Sequence, residues 1–175
     1  MGKIFGFHEQ LKVGQEGELF LDTVFSKNFK ITEIKELQAL GIDRIFENKK
    51  TRFRTSVEYK TCKRAQETGN LFVETVSNTT SEKLGWGYTC TAQILVWFIP
   101  GLRTICMLDT LKLRNCLPNW IKLYDTKTCR NPNYNGLGVL IPVPALIQEC
   151  NWIKKYSKDY EKSIYEKILR DSENS

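Results

Sequence analysis

Three charged residues stand in an order that could hold a metal ion against a phosphate group. In GIDRIFENKKTRFRTSVEYKTC, residues 41–62, Asp43 is followed fifteen residues later by Glu58, and Lys60 comes two positions after Glu58. Residues two apart on a β-strand project from the same face, so Glu58 and Lys60 are expected to point into one space. A surface hairpin with solvated charges is the alternative interpretation of this segment.

The chemistry that these residue types suit is hydrolysis of a phosphodiester bond. A metal ion held by Asp43 and Glu58 could polarise the scissile phosphate and lower the pKa of a bound water. Lys60 could then orient or deprotonate the attacking water, or stabilise the developing negative charge. Glu18, upstream on a predicted helix, could supply a third carboxylate by direct ligation or through a water.

Spacing alone does not single out this triplet. Glu-x-Lys or Asp-x-Lys occurs four times in the chain, at Glu33–Lys35, Glu47–Lys49, Glu58–Lys60 and Asp125–Lys127. Only Glu58–Lys60 lies on a clearly alternating strand, after an aspartate that follows an apolar residue. The rival combination of Asp109 with Asp125–Lys127 lacks the helix and strand upstream. We therefore place the candidate site at Asp43, Glu58 and Lys60.

The composition restricts the kind of metal site. The chain has one histidine, His8, and six cysteines without any Cys-x-x-Cys pair, which argues against histidine-rich and zinc-ribbon sites. A metal held mainly by oxygen favours Mg²⁺, for which Mn²⁺ could substitute. The cysteines are expected to be reduced, and several of them to lie in the core.

Length and hydropathy predict one domain without membrane attachment. A chain of 175 residues can bury one core, and no stretch approaches the roughly 18–20 apolar residues of a membrane span. The first residues, MGKIFGFHEQ, lack an apolar segment followed by a small-residue cleavage site. We therefore expect a cytoplasmic protein.

Hydrophobic periodicity predicts the elements that must position the site. A helix is predicted over residues 13–28, and the strict alternation of residues 53–60 predicts a strand with Val57 and Tyr59 opposite Glu58 and Lys60. Further along the chain we predict strands near 70–77, 96–99, 102–110 and 138–143. We also predict a helix over 111–120, which Pro118 could interrupt, and a C-terminal helix over 144–170. Turn residues predict a loop over 126–138. This pattern predicts an α/β or α+β class.

Positive charge is concentrated around the candidate site. The formal net charge is +6, and between Lys49 and Arg64 the only acid is Glu58. Such a cluster creates a positive potential that suits a phosphate backbone, although a solvated basic hairpin is the alternative. The candidate phosphate contacts are Arg52, Arg54, Lys63, Arg64, Lys127 and Arg130.

The order Glu18 … Ile42-Asp43 … Val57-Glu58-Tyr59-Lys60 resembles the PD-(D/E)XK nuclease superfamily, which includes restriction enzymes and Holliday junction resolvases. The resemblance covers roughly residues 14–100, with residues 101–175 as an extension of the same single domain. It implies a restriction-endonuclease-like core of a helix, a three-stranded meander, a helix and a further strand, in a mixed β-sheet flanked by helices. It also implies that Asp43 and Glu58 bind the metal, that Lys60 is the catalytic lysine, and that Glu18 matches the glutamate on the first helix. Ile42 stands where the proline of the family name would be.

Three further positions could support the site. Glu74, on the next predicted strand, is either a supporting acid or an ordinary polar surface residue. Trp86, between two glycines in KLGWGY, could stack on an exposed base or cap the core. Gln93 corresponds, by the resemblance, to a position that often carries a supporting polar side chain.

These observations give one leading functional hypothesis and two rivals. The leading hypothesis is a Mg²⁺-dependent endodeoxyribonuclease acting on double-stranded or branched DNA, as a homodimer because cutting two strands commonly needs two sites. The first rival is a catalytically inactive nucleic-acid-binding accessory protein on the same fold. The second is an interaction protein whose basic hairpin binds an acidic partner.

Overall fold

The computed structural model describes residues 7–130 and 134–173, which form helices and two β-sheets. The helices are α1 (Phe7–Phe25), α2 (Lys35–Gln38), α3 (Ala65–Thr68), α4 (Trp86–Thr89), α5 (Thr110–Leu123), α6 (Val143–Glu149) and α7 (Lys158–Glu173). The strands are β1 (Phe29–Thr32), β2 (Arg44–Asn48), β3 (Arg54–Thr61), β4 (Asn70–Asn78), β5 (Lys83–Leu84), β6 (Ile94–Ile99), β7 (Thr104–Asp109), β8 (Thr126–Arg130), β9 (Asn135–Pro142) and β10 (Trp152–Lys155). The class is α+β with a mixed sheet flanked by helices, as the sequence predicted.

The larger sheet has the strand order β1-β2-β3-β6-β7-β10. Strands β1, β2 and β3 form an antiparallel meander, and β6 runs parallel to β3. Strands β7 and β10 then complete the sheet in antiparallel orientation. Because a parallel neighbour needs a long crossover, the chain between β3 and β6 is free to build other elements.

The crossover and the later hairpin form the second sheet, in the order β5-β4-β9-β8. Leu71 and Val73 on β4 and Val139 on β9 are fully buried. They belong to one apolar cluster together with Leu95 and Trp97 of β6. The second sheet therefore covers one face of the larger sheet.

Helices α1 and α7 cover the opposite face. Phe20 of α1 stacks on Phe98 of β6 with ring centroids 4.5 Å apart, and Ile164 of α7 joins the same cluster. Val57 and Tyr59 of β3 belong to this cluster as well, which confirms their predicted common face. None of the helices α1–α7 is both long and apolar enough to cross a membrane.

Three segments differ from the sequence prediction. Pro118 lies inside α5 without ending it, since buried Leu113, Leu117 and Trp120 anchor that helix. The predicted loop over 126–138 contains β8 and the start of β9, while residues 131–133 lie outside the described residues. The predicted C-terminal helix is divided into α6, β10 and α7. Strands β8 and β10 form by pairing with β9 and β7, contacts that local periodicity cannot reveal.

Candidate active site

The pairing of β2 with β3 brings Asp43 beside Glu58. Asp43 directly precedes β2, and its backbone N–H donates to the Val57 carbonyl at 2.9 Å. The Asp43 carboxylate in turn accepts a hydrogen bond from the Tyr59 backbone N–H, with 2.8 Å between Oδ2 and N. Asp43 is thus held by the two residues that flank Glu58: Val57 bonds its backbone and Tyr59 bonds its carboxylate. The sequence predicted the two carboxylates as a pair but could not give the register that joins them.

Gly41 forms the turn that leads to Asp43. Gly41 has φ +71°, in the left-handed region that favours glycine. A Cβ atom at Gly41 would also lie 3.1 Å from the Cα of Cys90. Cys90 donates a hydrogen bond from Sγ to the Gly41 carbonyl at 3.2 Å. The turn before Asp43 is therefore held against the segment that leads into β6.

Glu58 and Lys60 share one face of β3, as their spacing predicted. Their strand partners on β6 are Leu95 and Trp97, which belong to the core between the two sheets. Glu58 is 7% exposed, and Lys60 Nζ donates to its Oε1 at 2.5 Å. The ion pair is therefore formed beneath the second sheet rather than in open solvent.

Glu58 is held in an environment that opposes its ionisation. Burial raises the pKa of Glu58 to about 7, and the neighbouring Asp43 adds to this rise, while Lys60 opposes it. Its Oε2 is buried and has no hydrogen-bond partner among the described residues. When both carboxylates are ionised they can only accept hydrogen bonds, so neither can satisfy the other. A hydrogen bond from protonated Glu58 to Asp43, which contributes to the raised pKa of Glu58, would satisfy this oxygen, and so would a cation between the two ionised carboxylates.

The described residues offer a pair of acids here rather than a larger cluster. Within residues 7–130 and 134–173, no group of three or more His, Cys, Asp and Glu side chains is arranged to hold a metal ion. Mg²⁺ is commonly bound by one or two carboxylates and completes its shell with waters and substrate phosphates. Asp43 and Glu58 supply that number of ligands.

The raised pKa predicts that Glu58→Gln stabilises the metal-free protein at alkaline pH. A carboxyl whose pKa rises from 4.5 to about 7 on folding contributes stability that is fully present below pH 4.5 and is lost as the pH rises through about 7. Glutamine resembles the protonated form and removes this loss. At pH 8 we expect the variant to gain up to about 3 kcal/mol in the free energy of unfolding.

Thermal or urea unfolding in EDTA between pH 5 and pH 8 measures this effect. The exposed Glu36 provides the matched control, because Glu36→Gln changes the same chemistry on an exposed side chain of α2. Equal stability of the parent and Glu58→Gln at pH 8 would contradict the burial argument.

Glu18 lies on α1 and is connected to Asp43 through an arginine. Arg44 Nη2 donates to Glu18 Oε2 at 2.9 Å, and Arg44 Nη1 donates to the Asp43 carbonyl at 2.9 Å. Arg44 Nε also contacts both carboxylate oxygens of Asp22, at 3.0 and 3.2 Å. Burial raises the pKa of Glu18, and the negative charge of Asp43 raises it further. Glu18 is thus electrostatically coupled to Asp43, while Arg44 holds its carboxylate in an ion pair.

Arg44 is a residue of the site that the sequence interpretation missed. It is 7% exposed, and its guanidinium carbon lies 5.6 Å from the ring centroid of Tyr59. Tyr59 also donates its hydroxyl to Asp22 Oδ1 at 2.9 Å. Glu18 and Asp22 are four residues apart and therefore lie on one helix face. If that face is buried, their two negative charges require a cation. This spacing is the signal that could have predicted Arg44.

Two of the three accessory candidates lie beside Lys60. Lys60 Nζ is 4.8 Å from the ring centroid of Trp86, within the range of a cation–π contact. Burial raises the pKa of Glu74, while a hydrogen bond from the Trp86 backbone and the positive charge of Lys60 oppose the rise. The ring of Trp86 also approaches Trp97, with centroids 6.1 Å apart. Trp86 thus contacts the candidate site and the core at once.

Gln93 occupies a different position. Its Oε1 accepts hydrogen bonds from the backbone N and the hydroxyl of Ser56, at 3.0 and 3.4 Å. Its own backbone N–H interacts with Ser56 Oγ at 3.0 Å. Gln93 therefore joins the start of β6 to β3 two residue pairs before Glu58, where it helps to set the strand register.

Arg52 and Arg54 bracket a buried carboxylate in the β2–β3 hairpin. Arg52 Nη2 lies 2.6 Å from Glu47 Oε1, and Arg54 Nε lies 2.8 Å from Glu47 Oε2. Both arginine side chains remain largely exposed. Since Arg54 precedes Glu58 by four residues, the hairpin lies roughly 13 Å along β3 from the candidate site.

The remaining basic candidates lie elsewhere. Lys63 and Arg64 follow β3 at its end nearer the carboxylates, and Lys63 Nζ forms an exposed ion pair with Glu16 at 3.1 Å. Lys127 and Arg130 lie on β8, an exposed edge strand of the second sheet. The basic residues are therefore distributed over the hairpin, the end of β3 and the second sheet.

The rival arrangement of acids has a structural role for one of its members. Asp109 caps α5, with its carboxylate accepting from the backbone N–H groups of Leu111 and Lys112 at 2.8 and 3.3 Å. Asp125 and Lys127 are exposed. Of the four triplets, Glu58–Lys60 is the one that the structure places in a buried ion pair.

Comparisons with known proteins identified no relative of this chain. No family model, no curated protein and no solved structure matches the chain. The functional argument therefore depends on the chemistry of the residues and on their arrangement.

Proposed function

We propose that this protein is a metal-dependent DNA endonuclease that hydrolyses phosphodiester bonds. The observation that carries the proposal is the buried Glu58 oxygen without a hydrogen-bond partner among the described residues, beside Asp43 and on the same face as Lys60. A buried carboxylate with a strongly raised pKa is costly for folding and is typical of functional sites. Two acids and a lysine are residue types that can support metal-dependent phosphodiester hydrolysis.

The chain order supports the resemblance to PD-(D/E)XK nucleases. Helix α1 is followed by the meander β1-β2-β3, and β6 then lies parallel to β3. This is the order of helix, meander and further strand that the resemblance implies. The crossover between β3 and β6 departs from it, since short helices and strands β4 and β5 replace one long helix.

The carboxylates of Asp43 and Glu58 would hold the metal ion, for which Mg²⁺ fits best and Mn²⁺ is a substitute. Both ligands are oxygens, and Glu58 offers an acceptor that no described donor satisfies. The Tyr59 backbone N–H fixes the orientation of Asp43. When bound, such an ion polarises a phosphate and makes a coordinated water more acidic.

Lys60 provides positive charge next to the ligands. In the metal-free protein its ammonium pairs with Glu58 and offsets part of the negative charge. In the reaction the same ammonium would orient the attacking water or stabilise the charge that develops on the phosphate. Glu18 would act as an accessory acid, placed beside Asp43 by Arg44.

The proposed substrate is double-stranded or branched DNA. Arg52, Arg54, Lys63 and Arg64 lie at the two ends of β3, and electrostatic contact with the phosphate backbone is their expected role. Lys127 and Arg130 on β8 are further candidates for this contact. A homodimer would present two such sites to the two strands.

A cleavage assay on supercoiled plasmid and four-way-junction DNA tests the proposal. We expect products with Mg²⁺ or Mn²⁺ and none with EDTA, with the preferred DNA identifying the substrate class. Binding of DNA without products in every metal would favour the catalytically inactive accessory protein instead. Failure to bind DNA at low salt would favour the interaction protein.

A further inference from the structure

We propose that Trp86 is a positioning residue that holds the Lys60 ammonium beside Glu58 and the phosphate site. This inference depends on the proposed nuclease function for its consequence, although the contact itself can be tested without cleavage. It gives the Gly-Trp-Gly segment at residues 85–87 a role that is distinct from stacking on a base.

The Lys60 ammonium is bounded by groups from three elements. Glu58 Oε1 on β3 lies 2.5 Å from Nζ, and the ring centroid of Trp86 on α4 lies 4.8 Å from it. Glu74 on β4 is close enough for its ionisation to depend on the charge of Lys60. The Lys60 side chain is 26% exposed, so these groups surround most of it. An ammonium held in this way has few alternative positions.

Two glycines fix the backbone that carries the Trp86 side chain. A Cβ atom at Gly85 would lie 2.5 Å from the Glu74 carbonyl oxygen, and one at Gly87 would lie 2.9 Å from the same atom. Only residues without a side chain therefore let this segment lie so close to the β4 backbone. The Gly85 N–H donates to the Thr75 carbonyl at 2.9 Å and ties the segment to β4. The backbone on both sides of Trp86 is therefore held against β4.

The ring is also restrained from the side of the core. Trp86 and Trp97 have centroids 6.1 Å apart and planes inclined at 56°, and Trp97 is the strand partner of Lys60. Trp86 is half-buried, with Lys60 over its face. A freely accessible stacking platform for a base would need that face, so the structure favours contact with the lysine.

Positioning matters because a lysine side chain is flexible. Its four-carbon stem allows many rotamers, and a charge that is not held near the phosphate contributes less to catalysis. A cation–π contact of this kind is expected to change the rate by roughly tenfold. Since Trp86 acts through Lys60, its loss should lower kcat and leave KM for DNA almost unchanged.

Trp86→Leu and Trp86→Phe test the inference, with Trp152→Leu as the control. Trp152 lies on the edge strand β10 and is 39% exposed. In protein labelled with ¹³C-lysine and kept in EDTA, the Lys60 CεH₂ signal is identified by its absence in Lys60→Met. We expect the Trp86 ring to shift this signal upfield in the parent, and Trp86→Leu to abolish the shift. Trp86→Phe should retain much of both the shift and kcat, while the control changes neither.

Several outcomes would overturn the inference. One is a Lys60 signal in the parent without an upfield shift, which can be measured even if Trp86→Leu does not fold. Another is a raised KM with unchanged kcat in Trp86→Leu, which would assign Trp86 to DNA contact. If the parent cleaves no DNA, the nuclease proposal fails, and the shift still decides whether Trp86 holds Lys60.

Discussion

Lys60→Met is expected to lower the rate of metal-dependent DNA cleavage by about 10²–10⁴-fold. Methionine keeps much of the length and apolar volume of the lysine stem but removes the ammonium that lies 2.5 Å from Glu58. The proposed reaction then loses the positive charge beside the phosphate. The measurement is the initial rate of plasmid nicking at saturating Mg²⁺, with folding checked by circular dichroism.

The chain contains a matched control for this experiment. Glu47–Lys49 repeats the spacing of Glu58–Lys60, but Lys49 donates to the Ser26 carbonyl at 2.7 Å and is exposed. Lys49→Met should therefore cleave at nearly the parental rate. If both variants cut DNA as fast as the parent, the site assignment is wrong. If both lose DNA binding to the same extent, the lysines act only through general electrostatic attraction.

Arg44→Met is expected to destabilise the fold by roughly 3 kcal/mol. Arg44 is the cation that pairs with Glu18 and Asp22 and joins α1 to the start of β2. Removing it leaves two partly buried carboxylates without their charge partner. The expected destabilisation lies at the lower end of the range for breaking buried ion pairs, because both acids retain some exposure to water. In a chain of this length the expected fall in Tm is about 6–12 °C.

Thermal unfolding of Arg44→Met at pH 8 and pH 5 measures this effect. The decrease in the free energy of unfolding should be smaller at pH 5, because protonation of Glu18 and Asp22 removes their unpaired charges. Lys63→Met is the control, since its ion pair with Glu16 involves side chains that are 49% and 45% exposed. Exposed pairs contribute about 0–1 kcal/mol, so that variant should unfold close to the parent. If Arg44→Met lowers the free energy of unfolding as little as the control does, Arg44 does not connect α1 to the sheet.

Local steric rules allowed the sequence to predict the strand that carries the site. Alternation with a period of two placed Val57 and Tyr59 opposite Glu58 and Lys60, and the structure confirms both faces. The apolar spacing likewise located α1, although the helix begins at Phe7 and ends at Phe25 rather than covering 13–28. These features depend on neighbours in the chain, which the sequence lists directly.

Contacts between distant segments required the tertiary structure. The register that places Asp43 beside Glu58 follows from pairing between β2 and β3 and from the hydrogen bond of Tyr59. The strands β8 and β10, predicted as loop and helix, form only because partners in other parts of the chain accept them. Propensity in a short segment cannot report a partner that is far away in sequence.

The amino-acid sequence by itself determined which residues are candidates for the proposed chemistry and which of them share a strand face. Only the tertiary structure decided that Glu58 is buried, that Arg44 engages Glu18, and that Trp86 lies over Lys60. The physical reason is that burial and charge pairing depend on the packing of whole elements, here the second sheet and α1 against the two faces of β3. The same packing leaves one Glu58 oxygen without a donor among the described residues, and that is the feature on which the proposed metal site depends.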